Sequence, residues 1–208
     1  MDKYRLTTED EKEYYCKEQI PEIAGLFKGT LVIYGGGKSM WEDREEFLKI
    51  NGDNEYNTMA VNVAAMFFPK LDHVFSWHAN QISGIASFRK AEFRCCKALV
   101  HSSKIKPNID WEWSIALRAS TSGLMSVTLG YLLGYRKFVL CGVPYDNSGY
   151  FYKPMVNETF GDKPRGDELD FTKKKFGNSI KSMSGRTESM FSKPTAEWLK
   201  GDGDGKTM

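Results

Sequence analysis

The chain has 208 residues, of which 41% are hydrophobic and 27% charged, with a formal net charge of +2. That composition suits one α/β domain, and the near balance of charge removes any general electrostatic case for nucleic-acid binding. No apolar run approaches the ~20 residues of a membrane span, and "MDKYRLTTEDEKEYY" is charged from its second residue, unlike a secretory signal. Cys16, Cys95, Cys96 and Cys141 form no CxxC pair and no zinc spacing, so reduced thiols and a cytoplasmic location are expected.

Residues 1–28 read as an N-terminal helical segment. Thr8 can cap it, Glu9, Asp10 and Glu11 suit a first turn, and Pro21 interrupts. "LVIY" is a short buried strand. It runs into "GGGKS" (Gly35, Gly36, Gly37, Lys38, Ser39) and then a helix, "MWEDREEFLKI". Strand, glycine turn and helix can form a phosphate cradle. Neither standard fingerprint is complete. The first glycine of a P-loop would fall on Val32, and Met40 occupies the third glycine position of GxGxxG. Two readings stay open: a backbone site for an anion, or a tight strand-to-helix turn.

"NTMAVN" is a second strand ending at Asn62, followed by a short apolar helix that Pro69 stops. "DHVFSWHAN" is a third strand, with His73 at its start and His78 just past its end. "QISGIASFRKAEF" is helical, "KALVH" is a fourth strand ending in His101, and "WEWSIAL" a fifth whose alternation suits an edge or a hairpin. "STSG" then opens a helix: Thr121 and Ser122 can cap, and Gly123 allows close backbone approach. "KFVLCG" is almost wholly apolar, the mark of a strand buried on both faces, and "GVPYD" breaks it at Gly142 and Pro144.

Repeated strand and helix alternation predicts an α/β fold, a Rossmann-like, mostly parallel sheet with helices on both faces. One domain is expected over residues 1–199, with residues 144–186 as a lid-like insertion and helix and 200–208 as a disordered tail. In such a sheet Gly35, Asn62, His78 and Gly142 all lie at carboxyl ends of strands, where ligands bind. Tyr150 and Tyr152 share a face if the lid is extended. Basic residues outnumber acidic ones by eight to five between Tyr150 and Arg186, a mild bias toward an anionic ligand. Ser184 and Gly185 beside Arg186 offer a second anion contact.

His78 is the candidate general base, since a near-neutral imidazole at the rim can take a proton from an acceptor hydroxyl. Asp146 is a second candidate, as base or as a turn residue. Candidate phosphate contacts are Gly36, Gly37, Ser39, Thr121 and Ser122. No metal-ligand cluster, HExxH or nucleophile elbow occurs.

Four features together resemble the small α/β bacterial sialyltransferases and their motility-accessory and pterin-diphosphokinase relatives. They are GGGKS after the first strand, Asn62 ending the second, "TSG" opening a late helix, and "LGYRKFVLCGVPY" after it. The resemblance implies a cytidine nucleotide sugar as donor substrate. The Gly142–Pro144–Tyr145 loop would lie beside it, with Tyr150 and Tyr152 on its phosphate. The family's lid histidine has no counterpart here, and Pro144 replaces its acidic residue, with Asp146 two positions on. Residues 30–199 also resemble phage-encoded proteins labelled morphogenetic, most clearly in "SMSGRTESMFSKPTAEWL". That resemblance implies the host cytoplasm. Three roles follow as expectations: a transferase using a nucleotide-activated donor, a non-catalytic nucleotide-binding protein, or a phage assembly factor. A homo-oligomer is compatible with each.

Overall fold

The computed structural model describes residues 22–94, 97–104, 107–113, 121–153 and 166–201. Its strands are β1 (Thr30–Tyr34), β2 (Asn57–Val61), β3 (His73–Ser76), β4 (Leu99–Ser102), β5 (Trp111–Glu112), β6 (Lys137–Cys141) and β7 (Ile180–Ser182). They form one seven-stranded sheet in the order β5-β4-β3-β2-β1-β6-β7, with every neighbouring pair parallel. The architecture is α/β and Rossmann-like.

Parallel neighbours need crossovers, and helices supply most of them. They are α1 (Met40–Asn51), α2 (Ala79–Glu92), α3 (Ser122–Leu133) and α4 (Gly166–Phe176), with α5 (Gly185–Phe191) and α6 (Ala196–Lys200) after β7. The adjacent strands β1 and β6 are apolar after Thr30 and Lys137 because both faces are covered, and both strands are buried at every position. Alternate side chains divide between two cores. Leu31, Ile33, Phe138 and Leu140 pack with Leu124, Leu129, Leu169 and Phe176 of α3 and α4. Val32, Tyr34, Val139 and Cys141 pack with Met40, Phe47, Ile82 and Leu199 of α1, α2 and α6.

Helix α3 is apolar almost all round, and it is buried almost all round. Gly130 brings it onto the sheet: a Cβ there would lie 2.7 Å from Leu31 Cδ2 and 2.7 Å from Phe138 Cε1. The end of α3 explains a departure from the expected helix over 1–28. Residues 22–25 form a turn, and the chain beyond is not helical. The Gly25 and Phe27 N–H groups donate to the Leu132 and Leu133 carbonyls, each at 2.9 Å. Carbonyls of the last helical turn have no partner within the helix, so this segment's amides go to them. The rest of 1–28 lies outside the described residues.

Three other expectations change. The apolar helix after β2 is a single 3₁₀ stretch, Asn62–Met66. Strand β7 stands where no strand was expected. Lys200, expected in the tail, closes α6; residues 202–208 lie outside the described set, as do 114–117 of the expected fifth strand. Leu199 is buried in the core, and the Lys137 ammonium donates to the Trp198 and Leu199 carbonyls at 2.8 and 3.1 Å, holding the end of α6 onto the sheet.

Candidate functional site

Strands β1 to β5 are laid outward in one direction, and the chain then returns to place β6 on the other side of β1. The strand order therefore reverses at β1, and open α/β sheets form their ligand crevice at the carboxyl ends of the strands around such a switch point. A cavity of about 700 Å³ occupies it. Gly35, Gly36 and Gly37 line it after β1, and Gly142, Pro144, Tyr145 and Asp146 after β6. Asn62 comes from the end of β2, His78 from the entry to α2, and Thr121, Ser122 and Gly123 from the entry to α3. Tyr150, Tyr152, Lys153 and Arg186 complete the wall. The fold thus gathers residues from six separate loops.

Ser39 is placed elsewhere. Its hydroxyl lies 3.1 Å from Asp43 Oδ2 and 2.7 Å from Ser184 Oγ, behind the glycine turn and away from the cavity lining. Asp43 is the hub of this cluster. Oδ2 also accepts from the Gly142 N–H at 2.7 Å and the Ser184 hydroxyl at 2.7 Å. One buried carboxylate on α1 therefore ties the exits of β1, β6 and β7 together. Burial raises its pKa above the usual 3.8, against the lowering effect of the Gly142, Ser184 and Ser39 hydrogen bonds.

Three amides of the glycine turn go to carbonyls within the protein. The N–H groups of Gly35, Gly37 and Lys38 donate to the carbonyls of Cys141, Gly142 and Gly149, at 2.8, 2.7 and 3.0 Å. These three amides are committed inside the protein and do not form a phosphate cradle. The glycines instead permit close packing. A Cβ on Gly37 would lie 2.4 Å from Pro144 Cδ, and one on Gly36 would lie 2.9 Å from ring atoms of both Tyr150 and Tyr152. The lid seats here through an antiparallel bridge between Gly37 and Tyr150.

At α3 the arrangement differs. The first intrahelical bond runs from the Met125 N–H to the Thr121 carbonyl, so the amides of Ser122, Gly123 and Leu124 precede the ladder. Thr121 makes no side-chain cap. Its Oγ1 lies 2.9 Å from Tyr145 Oη, and Tyr145 donates to Glu168 Oε2 of α4. Tyr145 itself stands at φ 58, a left-handed conformation that is strained for a bulky residue and clusters at functional sites. Asn62 is likewise left-handed, at φ 55, which asparagine tolerates better. Its Oδ1 is buried with no hydrogen-bond partner among the described residues. Arg89 of α2 braces the loop that carries Asn62, donating from Nη1 to the Ala65 and Phe68 carbonyls at 2.5 Å each.

His78, Asp146, Lys153 and Arg186 are exposed at the cavity mouth. The His78 N–H donates to Ser76 Oγ at 3.1 Å, which fixes the backbone and leaves the ring on the rim. Asp146 Oδ1 accepts from the Ser148 N–H at 2.9 Å, so this side chain shapes its own turn. Tyr150 and Tyr152 stack with centroids 5.2 Å apart, and Phe67 stacks on Tyr152 at 6.0 Å. These rings offer flat apolar faces beside the mouth.

The other two histidines are far from this chemistry. His101 Nδ1 accepts from the Trp113 indole N–H at 3.0 Å, which places its proton on Nε2. Nε2 then donates to His73 Nδ1 at 3.1 Å, and His73 Nε2 donates to Tyr135 Oη at 2.9 Å. Both rings are fully buried and neutral, and burial lowers the His73 pKa to about 4. Among the described residues no group of three or more His, Cys, Asp or Glu side chains could hold a metal ion, and no helix is long and apolar enough to cross a membrane.

Sequence reasoning missed Asp43 and Glu168. Asp43 left a trace, as an acid in a first helical turn four residues after Ser39. Glu168 left none beyond its place in the acidic start of α4. Comparison of the chain with family models, with curated proteins and with solved structures gives no match.

Proposed function

We propose that this chain binds a nucleotide or nucleotide sugar in the cavity at the carboxyl ends of the strands and acts as a glycosyltransferase-like transferase on a nucleotide-activated donor. The observation that carries the reading is the cavity at the switch point, about 700 Å³ in volume. That lies within the ~300–1,000 Å³ of small-molecule sites, at the position where open α/β sheets bind nucleotides. Lys153 and Arg186 supply positive charge for a phosphate. The stacked tyrosines suit a base or sugar ring. The resemblance to sialyltransferases favours a cytidine donor, and the resemblance to phage-encoded proteins favours the host cytoplasm as its setting.

In the transfer step the acceptor oxygen bonds to the anomeric carbon as the bond from that carbon to the phosphate oxygen breaks. His78 takes the acceptor's proton, and the nucleotide leaves with the bond's electron pair, its charge met by Arg186. An assembly role has one observation in its favour: Trp41 and Phe67, each 44% exposed, flank Phe151 in an open aromatic face.

Thermal shift with a panel of nucleotides and nucleotide sugars tests the reading. A ligand at a hundredfold excess over its Kd adds ~2.7 kcal/mol, a rise of roughly 5–10 °C for a chain of this size. Incubation with the stabilising nucleotide sugar should then release free nucleotide. Stabilisation without release leaves a binding protein, and no stabilisation by any nucleotide removes the reading.

A further inference from the structure

We infer that Glu168, acting through Tyr145, sets the hydrogen-bonding polarity of the cavity wall at Thr121, so that this wall takes a ribose hydroxyl of the ligand and not its phosphate. The inference rests on the nucleotide reading and specifies which part of the nucleotide lies at α3.

The argument follows the protons. A carboxylate only accepts hydrogen bonds. The single hydroxyl proton of Tyr145 is therefore committed to Glu168 Oε2. Thr121 Oγ1 and Tyr145 Oη lie 2.9 Å apart, and two oxygens at that distance need a proton between them. Tyrosine has no second proton to give, so the proton is threonine's. Any further hydrogen bond that Tyr145 makes through its oxygen leaves this direction unchanged. Thr121 thus spends its only donor on Tyr145, and its lone pairs alone remain for the cavity that it lines.

This is the opposite of what a phosphate needs. A phosphate oxygen facing those lone pairs meets repulsion, whereas a hydroxyl can donate to Thr121. The same hydroxyl, or its neighbour, can accept from the amides that open α3. Asn62 also lines the cavity, from the end of β2. A group that donates at one position and accepts at the adjacent one is a vicinal diol, which ribose carries. The positive charges that suit the phosphate, Lys153 and Arg186, come from the lid and from α5 and not from the entry of α3.

The test uses isothermal titration of the full chain with cytidine 5′-monophosphate and with its 2′-deoxy-2′-fluoro and 3′-deoxy-3′-fluoro analogues. Adenosine 5′-monophosphate and its matching analogues run in parallel. Fluorine is close in size to the hydroxyl that it replaces and has no proton to donate. One of the two analogues should bind the wild-type chain on the order of 10- to 100-fold more weakly than its parent, the range for an acceptor left without its donor. Tyr145→Phe releases the Thr121 proton toward the cavity, and the discrimination should shrink to less than threefold. Thr121→Val should bind parent and analogue equally, and Thr121→Ser should restore the difference. Circular dichroism confirms that each variant is folded. Equal binding of parent and both analogues by the wild-type chain overturns the inference while leaving the nucleotide reading intact, and so does discrimination that survives in Thr121→Val. Failure of every nucleotide to bind removes the nucleotide reading, and the inference with it.

Discussion

Asp43→Ala should loosen the site from behind. In the native protein one buried carboxylate oxygen serves the Gly142 N–H and the Ser184 and Ser39 hydroxyls. Removing it does not orphan all three. The two serine oxygens are already 2.7 Å apart and can bond to each other. The Gly142 amide has no such alternative: it is buried, and its residue is held at φ 65 at the exit of β6. An unsatisfied buried donor costs about 1–3 kcal/mol, and the space left by a carboxylate adds to that. The expected loss is ~2–4 kcal/mol, or roughly 5–15 °C in Tm for a chain of this length. Asp43→Asn keeps an oxygen for Gly142 and should lose only ~1 kcal/mol. Urea denaturation followed by fluorescence and by circular dichroism gives both values. Because burial raises the Asp43 pKa above 3.8, the folded chain holds this proton at a higher pH than the unfolded one. The wild-type chain should therefore gain on Asp43→Asn as pH falls through the window just above that value. An Asp43→Ala protein within 0.5 kcal/mol (roughly the noise of such measurements) of wild type, or an Asn variant as damaged as the Ala one, would refute the hub.

Three further outcomes are expected. Gly130→Ala gains helix propensity yet forces a methyl to 2.7 Å from Leu31 and Phe138, so the urea midpoint should drop by the equivalent of ~1–3 kcal/mol. His73 is buried neutral, with its pKa lowered from 6.5 to about 4. The unfolded chain binds that proton first, so stability from this group is complete above pH 6.5 and falls by ~3 kcal/mol on acidification to pH 4, as read by denaturation at stepped pH. His78→Ala should leave donor affinity within about twofold and lower turnover by ~10²–10⁴, as read by steady-state kinetics beside a binding titration.

The centre of the fold was legible because its signals are local. "LVIY" and "FVLC" are apolar on both faces, and they prove to lie on adjacent strands in register, Leu31 beside Phe138 and Ile33 beside Leu140. Breaks after these strands marked the loops that line the cavity. What stayed hidden depends on partners distant in the chain. Strand β7 is three residues in a polar stretch, and it is a strand because Ile180 pairs beside Phe138. Glycine content alone does not reveal where the amides of the glycine turn point; here carbonyls at the end of β6, just after it and in the lid claim those of Gly35, Gly37 and Lys38. Ser39 looked like a ligand contact because its partners, Asp43 and Ser184, lie behind the turn. The polarity of Thr121 depends on Glu168, which reaches it only through the fold.

The most direct test of nucleotide binding at the switch point is a titration of cytidine 5′-monophosphate into the wild-type chain and into Arg186→Ala, each at low and high salt. Arg186 is exposed at the cavity mouth, and a charge-assisted contact from it is worth at least about tenfold in affinity. A saturable single-site isotherm that weakens with salt, and weakens tenfold or more in Arg186→Ala, is the predicted result. No saturable heat, or one Kd shared by both proteins at both salt concentrations, would contradict it.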